Sequence, residues 1–154
     1  MNRGLVVGLL AVSLSGAGTT AQSRFDYTQW RGQARAGAAS AFIDLKVWPD
    51  TLVRRWSTRV GEGYSTPLLV GSNLYVFVRD GNKEVLMALD ATTGTERWRS
   101  AYEAPYTPSK PAAGHGAWPK ATPLFFNGTV ITVGITGVVS AFDARDGRRL
   151  WHTE

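Results

Sequence analysis

The chain of 154 residues carries a formal charge of +5, 44% hydrophobic residues and no cysteine. Apolar content of that order supplies a packed core and excludes wholesale disorder, and without cysteine there can be no disulfide and no thiolate zinc site. The basic residues are scattered around three tryptophan-bearing segments, as Arg54 and Arg55, Arg97 and Arg99, and Arg148 and Arg149. That spread lacks the concentrated basic face a nucleic-acid surface needs, so no nucleic-acid partner is expected. It suits charged outer strands that resist edge-to-edge pairing.

Residues 1–21 have the form of a secretory signal peptide: Arg3, a mostly apolar stretch over 4–18, and the small-residue site Thr19-Thr20-Ala21. The stretch is too short for a transmembrane span, so the mature protein is expected in the periplasm or outside the cell. Residues 22–51 read as an N-terminal arm with little periodicity, carrying Trp30 and Trp48 and closing on the turn Pro49-Asp50. Residues 52–60, around Trp56, read as a stray outer strand that completes a closing blade.

Residues 61–99 read as a four-stranded antiparallel unit. Residues 66–70 form its first strand, residues 74–78 a second that is apolar at every position, residues 84–90 a third and residues 95–99 a fourth. A strand without polar alternation is buried on both faces, which places this sheet between two others. Asp80-Gly81-Asn82 is a hairpin turn. Residues 100–120 are an inserted loop rich in Pro, Gly and Ala. Residues 121–154 repeat the unit, with strands over 122–126, 130–135, 138–143 and 148–151.

The third and fourth strands of both units carry one eleven-residue phrase. Ala88-Leu89-Asp90-Ala91-Thr92-Thr93-Gly94-Thr95-Glu96-Arg97-Trp98 returns as Ala141-Phe142-Asp143-Ala144-Arg145-Asp146-Gly147-Arg148-Arg149-Leu150-Trp151, 53 residues on. An echo at fixed offset is the sign of a repeat architecture. Asp90 and Asp143 can bond backbone N–H groups just beyond them and start a turn. Gly94 and Gly147 supply a positive φ. Ala88 and Ala141 leave room for a large ring, and Trp98 and Trp151 suit packing between neighbouring sheets.

This phrase is similar to the tryptophan-docking motif of quinoprotein-type β-propellers. From Trp48-Pro49 through Gly63-Tyr64-Ser65-Thr66-Pro67 to His115-Gly116 and Pro119-Lys120-Ala121-Thr122-Pro123, the chain resembles the bacterial PQQ-like propeller repeat family. The resemblance covers roughly residues 29–151. It implies an all-β propeller of four-stranded antiparallel blades, with about two complete blades present. The ring is therefore incomplete, since propellers close with about four to eight blades, and needs either missing blades or other copies of the chain. On this reading the second blade shows Val130, Ile131, Val133 and Val139, or their neighbours, to water.

The family includes dehydrogenases that use PQQ with Ca²⁺ and non-catalytic relatives such as the lipoprotein scaffold of outer-membrane barrel assembly. The enzymes supply clustered Glu, Asn and Asp ligands, a catalytic Asp and often adjacent cysteines. No such constellation is visible here, so no catalytic, cofactor-binding or metal residues are assigned. PQQ and Ca²⁺ belong only to the alternative reading, the first blades of a PQQ-dependent alcohol or sugar dehydrogenase. The preferred expectation is an exported, non-catalytic module that binds a protein partner or a small ligand. The stretch that could hold a ligand is the inserted loop, with Tyr102, Tyr106, His115, Trp118 and Lys120. Capping of the channel mouth, or packing on the next blade, explains the same residues without a ligand.

Overall fold

Two four-stranded antiparallel sheets are built from chain neighbours. The computed structural model describes residues 23, 25–38 and 50–153, so the expected signal peptide and Trp48-Pro49 lie outside the described residues. The first sheet runs β1 (Leu68–Val70), β2 (Asn73–Asp80), β3 (Lys83–Asp90) and β4 (Glu96–Glu103). The second runs β5 (Leu124–Phe126), β6 (Thr129–Val133), β7 (Val139–Asp143) and β8 (Arg149–Thr153). This is the all-β, unclosed blade pair expected of a propeller fragment.

The apolar run in β2 is explained by two separate cores. Tyr75 and Phe77, with Leu86 and Ala88 across the ladder, pack toward the second sheet and meet Val130, Phe142 and Ala144. Val76 and Val78, with Val85, Met87 and Leu89, face the other way and are covered in part by Val60. Alternate side chains of a strand point to opposite faces, so a strand sandwiched between two layers must be apolar throughout. In β6 the alternation turns Val130 and Thr132 inward, both fully buried, while Val133 is 41% exposed. Val130 is thus a core residue and not part of the open face. That face consists of Phe126, Val133 and Trp151, with Ile131 and Val139 half-buried between them.

Most strand ends lie within one or two residues of the sequence reading, and two segments differ by more. Strand β4 continues to Glu103, four residues past Arg99, because Ala101, Tyr102 and Glu103 pair with Val85, Glu84 and Lys83. Residues 52–60 form no strand. A strand needs a neighbour to take its N–H and C=O groups, and the eight strands among the described residues are all placed within the two sheets. The segment holds by other means: Trp56 donates its indole N–H to the Ala91 carbonyl, and Glu62 pairs with Arg79 in an isolated antiparallel bridge.

The arm ties the sheets together at their first strands. Tyr27 exchanges two backbone hydrogen bonds with Leu69 of β1, and the Phe125 N–H of β5 donates to the Thr28 carbonyl at 2.8 Å. Asp26 accepts from the Gly71 N–H at 2.9 Å.

Candidate functional site

The two copies of the repeated phrase build the same turn. Asp90 Oδ1 accepts from the N–H groups of Thr92 and Thr93 at 2.9 and 3.0 Å, and Asp143 Oδ1 accepts from the Arg145 N–H at 3.0 Å. In each turn the glycine N–H then donates to the aspartate carbonyl, Gly94 to Asp90 and Gly147 to Asp143. Both strand pairs carry a register shift just before the aspartate, which tightens the local twist.

Each turn also receives a tryptophan from the preceding segment. Trp56 Nε1 donates to the Ala91 carbonyl at 3.1 Å and Trp98 Nε1 to the Ala144 carbonyl at 3.2 Å. Gly94 and Gly147 share a φ of 74°, and a Cβ on either would collide with the indole seated over it. Glycine is needed there twice over, for the backbone conformation and for the close approach of the ring. The accepting carbonyls of Ala91 and Ala144 escaped the sequence reading, because backbone acceptors leave no mark on residue identity. Ala88 and Ala141 stand directly across the ladder from Trp98 and Trp151.

The turn carboxylates are engaged as well. Arg97 reaches Asp90 at 2.6 Å; Arg145 reaches Asp143 at 2.6 Å, with Arg148 at 3.9 Å. The Arg97 hydrogen bond, and then the Thr92 and Thr93 N–H groups, hold the Asp90 carboxyl below its ordinary range. Arg145, through its side chain and then its backbone N–H, holds Asp143 far below it.

Between the sheets, at this same turn end, lies a cleft of about 680 Å³ with Tyr75, Trp98 and Phe125 in its wall and Arg97, Arg145 and Asp26 among its polar residues. Tyr75 stacks with Phe125 at 6.1 Å and donates its hydroxyl to the Ala144 carbonyl at 3.1 Å. Burial pushes its phenol above the usual range. The size and the mixed lining suit a ligand site. Sequence reasoning missed it, since Tyr75 and Phe125 read as ordinary strand core.

The inserted loop folds onto the segment before β1. Trp118 donates its indole N–H to Glu62 at 2.7 Å and packs on Tyr64, ring centroids 5.4 Å apart. Lys120 donates to the His115 carbonyl at 3.1 Å and lies 5.8 Å over the Tyr64 ring. Tyr64 N–H bonds the Pro119 carbonyl, and Arg79 reaches the Ala117 carbonyl at 3.2 Å. Trp118 and Lys120 therefore meet at Tyr64, with His115 joining through its backbone. Tyr106 is exposed earlier in the loop, outside that group. Tyr102 belongs to β4, not to the loop, and bonds Glu84 between the sheets. Among the described residues no three of His, Cys, Asp and Glu gather as a metal site.

The family model described as outer membrane protein assembly factor BamB, a PQQ-type repeat model, matches residues 34–154. The chain belongs to this family. A comparison with curated proteins found no match. Among solved structures it is similar to BamB from Moraxella catarrhalis, at 22% identity and a TM-score of 0.40, covering 64% of this chain and 27% of that one. It is also similar to a europium-containing methanol dehydrogenase, at 23% identity and a TM-score of 0.36, covering 62% and 16%. A quinohemoprotein alcohol dehydrogenase from Pseudomonas putida stands at 26% identity and a TM-score of 0.40, covering 62% and 13%. The chain thus spans about a quarter or less of each of these proteins. Likenesses at such TM-scores bear no argument about activity, and the family assignment rests on the family model.

Proposed function

We propose that this chain forms blades of an exported, non-catalytic PQQ-like propeller that binds or scaffolds a partner. The observation that carries the reading is how the chemically capable side chains are spent. Asp90 and Asp143 are held by turn N–H groups and arginines. Glu62 is bonded to Trp118, and Glu84 to Tyr102 and the Ile135 N–H. These carboxylates hold turns, loop and blades together, whereas a Ca²⁺ site beside a quinone would call on six to eight oxygen ligands. Export rests on the signal-like residues 1–21. No helix among the described residues is long and apolar enough to cross a membrane.

The open face around Phe126, Val133 and Trp151 supports a further blade on the second sheet, with a glycine turn to receive Trp151. The partner would then meet the assembled ring, at the interblade cleft or at the loop around Tyr64. Titrating the purified full-length protein with PQQ and Ca²⁺ tests the reading: neither saturable quinone absorbance nor alcohol-dependent dye reduction is expected. Binding with turnover would replace this reading with the dehydrogenase. Mass spectrometry of the mature N-terminus tests export, with processing expected after Ala21.

A further inference from the structure

The space between the sheets is apolar at its middle and polar at the end away from the Trp98 joint. There Glu84 is fully buried, its Oε1 accepting from the Ile135 N–H at 2.7 Å and its Oε2 from the Tyr102 hydroxyl at 2.6 Å. Gly134 lies so close that a Cβ on it would collide with the carboxylate. The Arg149 guanidinium stands 5.6 Å over the Tyr102 ring.

Across from this carboxylate, the second sheet presents two hydroxyls. Thr132 and Ser140 are paired opposite each other in β6 and β7. They alternate with Val130 and Phe142 on the face turned to the first sheet, and both are fully buried. Neither Thr132 Oγ1 nor Ser140 Oγ makes a hydrogen bond of good geometry; Thr132 stands close enough beside the Tyr102 oxygen to act on it as a weak donor, which favours the ionised phenol. Two orphaned hydroxyls in one buried layer are costly, and such groups in native proteins are ordinarily satisfied by protein or by ordered water.

We infer that a buried water molecule bridges the two blades here, accepting from the Thr132 and Ser140 hydroxyls and donating to the Tyr102 oxygen. The donors and acceptors match at three of the water's four positions, one O–H being left over. The Tyr102 proton is already given to Glu84, which leaves its oxygen free to accept, and each hydroxyl has one proton to give. The result is a continuous chain from the second blade's hydroxyls through water and Tyr102 to Glu84, closed by the Ile135 N–H. Three partners are what an internal water typically makes. A hard cation fits less well, because both Glu84 oxygens already accept and Ca²⁺ would want six to eight oxygens.

A high-resolution crystal structure of the full chain tests this, with a peak expected at about 2.7–3.0 Å from both hydroxyl oxygens. A peak at about 2.3–2.6 Å with added oxygen ligands would mark a cation and overturn the proposal. Direct bonding of both hydroxyls to protein groups would overturn it too. In solution, water magnetic relaxation dispersion should count one long-lived water fewer in the Thr132→Val/Ser140→Ala variant than in the parent. An unchanged count in the folded variant would sink the inference; if that variant does not fold, the crystal structure of the parent decides.

Discussion

Trp98 and Trp151 hold the same place in two copies of one phrase, each across the ladder from a buried alanine, Ala88 or Ala141. Their surroundings differ. Trp98 is half-buried, packs with Tyr75 at 5.9 Å and bonds the Ala144 carbonyl, while Trp151 is 47% exposed. The local sequence of a blade therefore does not bury its own tryptophan; the turn of the following blade does. Trp56 makes the same point from the opposite side. It sits on no strand, yet it is seated on the first blade's turn because Ala91 and Gly94 are there to receive it.

The sharpest way to break the comparison is to delete each ring in the 154-residue chain. Trp98→Ala should cost about 3–5 kcal/mol, the range for truncating a packed aromatic. In the 154-residue chain Trp151→Ala should cost under about 1 kcal/mol, as surface changes do. Denaturant unfolding reads both. Equal losses in the 154-residue chain would mean that the ring is stabilised within its own sheet. In a longer protein with a following blade, the Trp151 loss should rise toward that of Trp98.

A second pair of substitutions separates backbone strain from ring contact. Gly81 and Gly147 both have positive φ, 58° and 74°, but a Cβ on Gly81 meets nothing within 4 Å, whereas one on Gly147 strikes the Trp98 ring. Gly81→Ala should cost about 1 kcal/mol, for the left-handed conformation alone. Gly147→Ala should cost about 1–3 kcal/mol more, with overpacking added. If the two costs are the same, the glycine of the phrase is there for its φ only.

How much of this was legible in the residues follows the same divide between local and received structure. The aspartate turn, the glycine and the unbroken apolar run of β2 could be read directly, because each is a property of a few adjacent residues. The inward direction of Val130 could not, because a one-residue change of register reverses every side chain of a strand. The burial of Glu84 was equally hidden: an acidic residue beside a hairpin reads as solvent-facing until Tyr102 and Ile135 are brought to it from 18 and 51 residues away. Among the loop candidates, Trp118 and Lys120 stand two residues apart in the sequence. Their meeting point, Tyr64, lies more than 50 residues upstream, and its place in Gly63-Tyr64-Ser65-Thr66-Pro67 points to the family and not to the loop.

The inserted loop offers a smaller test of how the first blade keeps what the second lacks. Trp118 is partly exposed, and its bond to Glu62 lies at the surface. Trp118→Ala should therefore cost about 1.5 kcal/mol, the low end for a hydrogen bond to a charged group. It should also open residues 104–123 to limited proteolysis. A protected loop in that variant would show that Arg79 and Tyr64 hold it without the indole.

Acid should distinguish the two turns more gently. Both carboxyls are held below the ordinary aspartate value in the folded protein, Asp143 further than Asp90. A depressed folded pKa means that the stabilisation is fully present above the unfolded value, about 4. It is lost as pH falls through the folded value. Lowering the pH below 4 should thus release Asp90 first and Asp143 later, so the second blade's turn keeps its charge further into acid. Asp143 has Arg145 and then Arg148 beside it where Asp90 has Arg97 alone. Arg145 is 84% exposed, so raised salt should weaken its field and narrow the gap. Carboxyl carbon shifts followed by NMR from pH 6 downward read each titration, with Asp90→Asn and Asp143→Asn to assign the signals. An Asp143 that titrates near 4, or before Asp90, would mean that its arginines are solvated in solution, and that the two turns are equivalent in charge as they are in backbone.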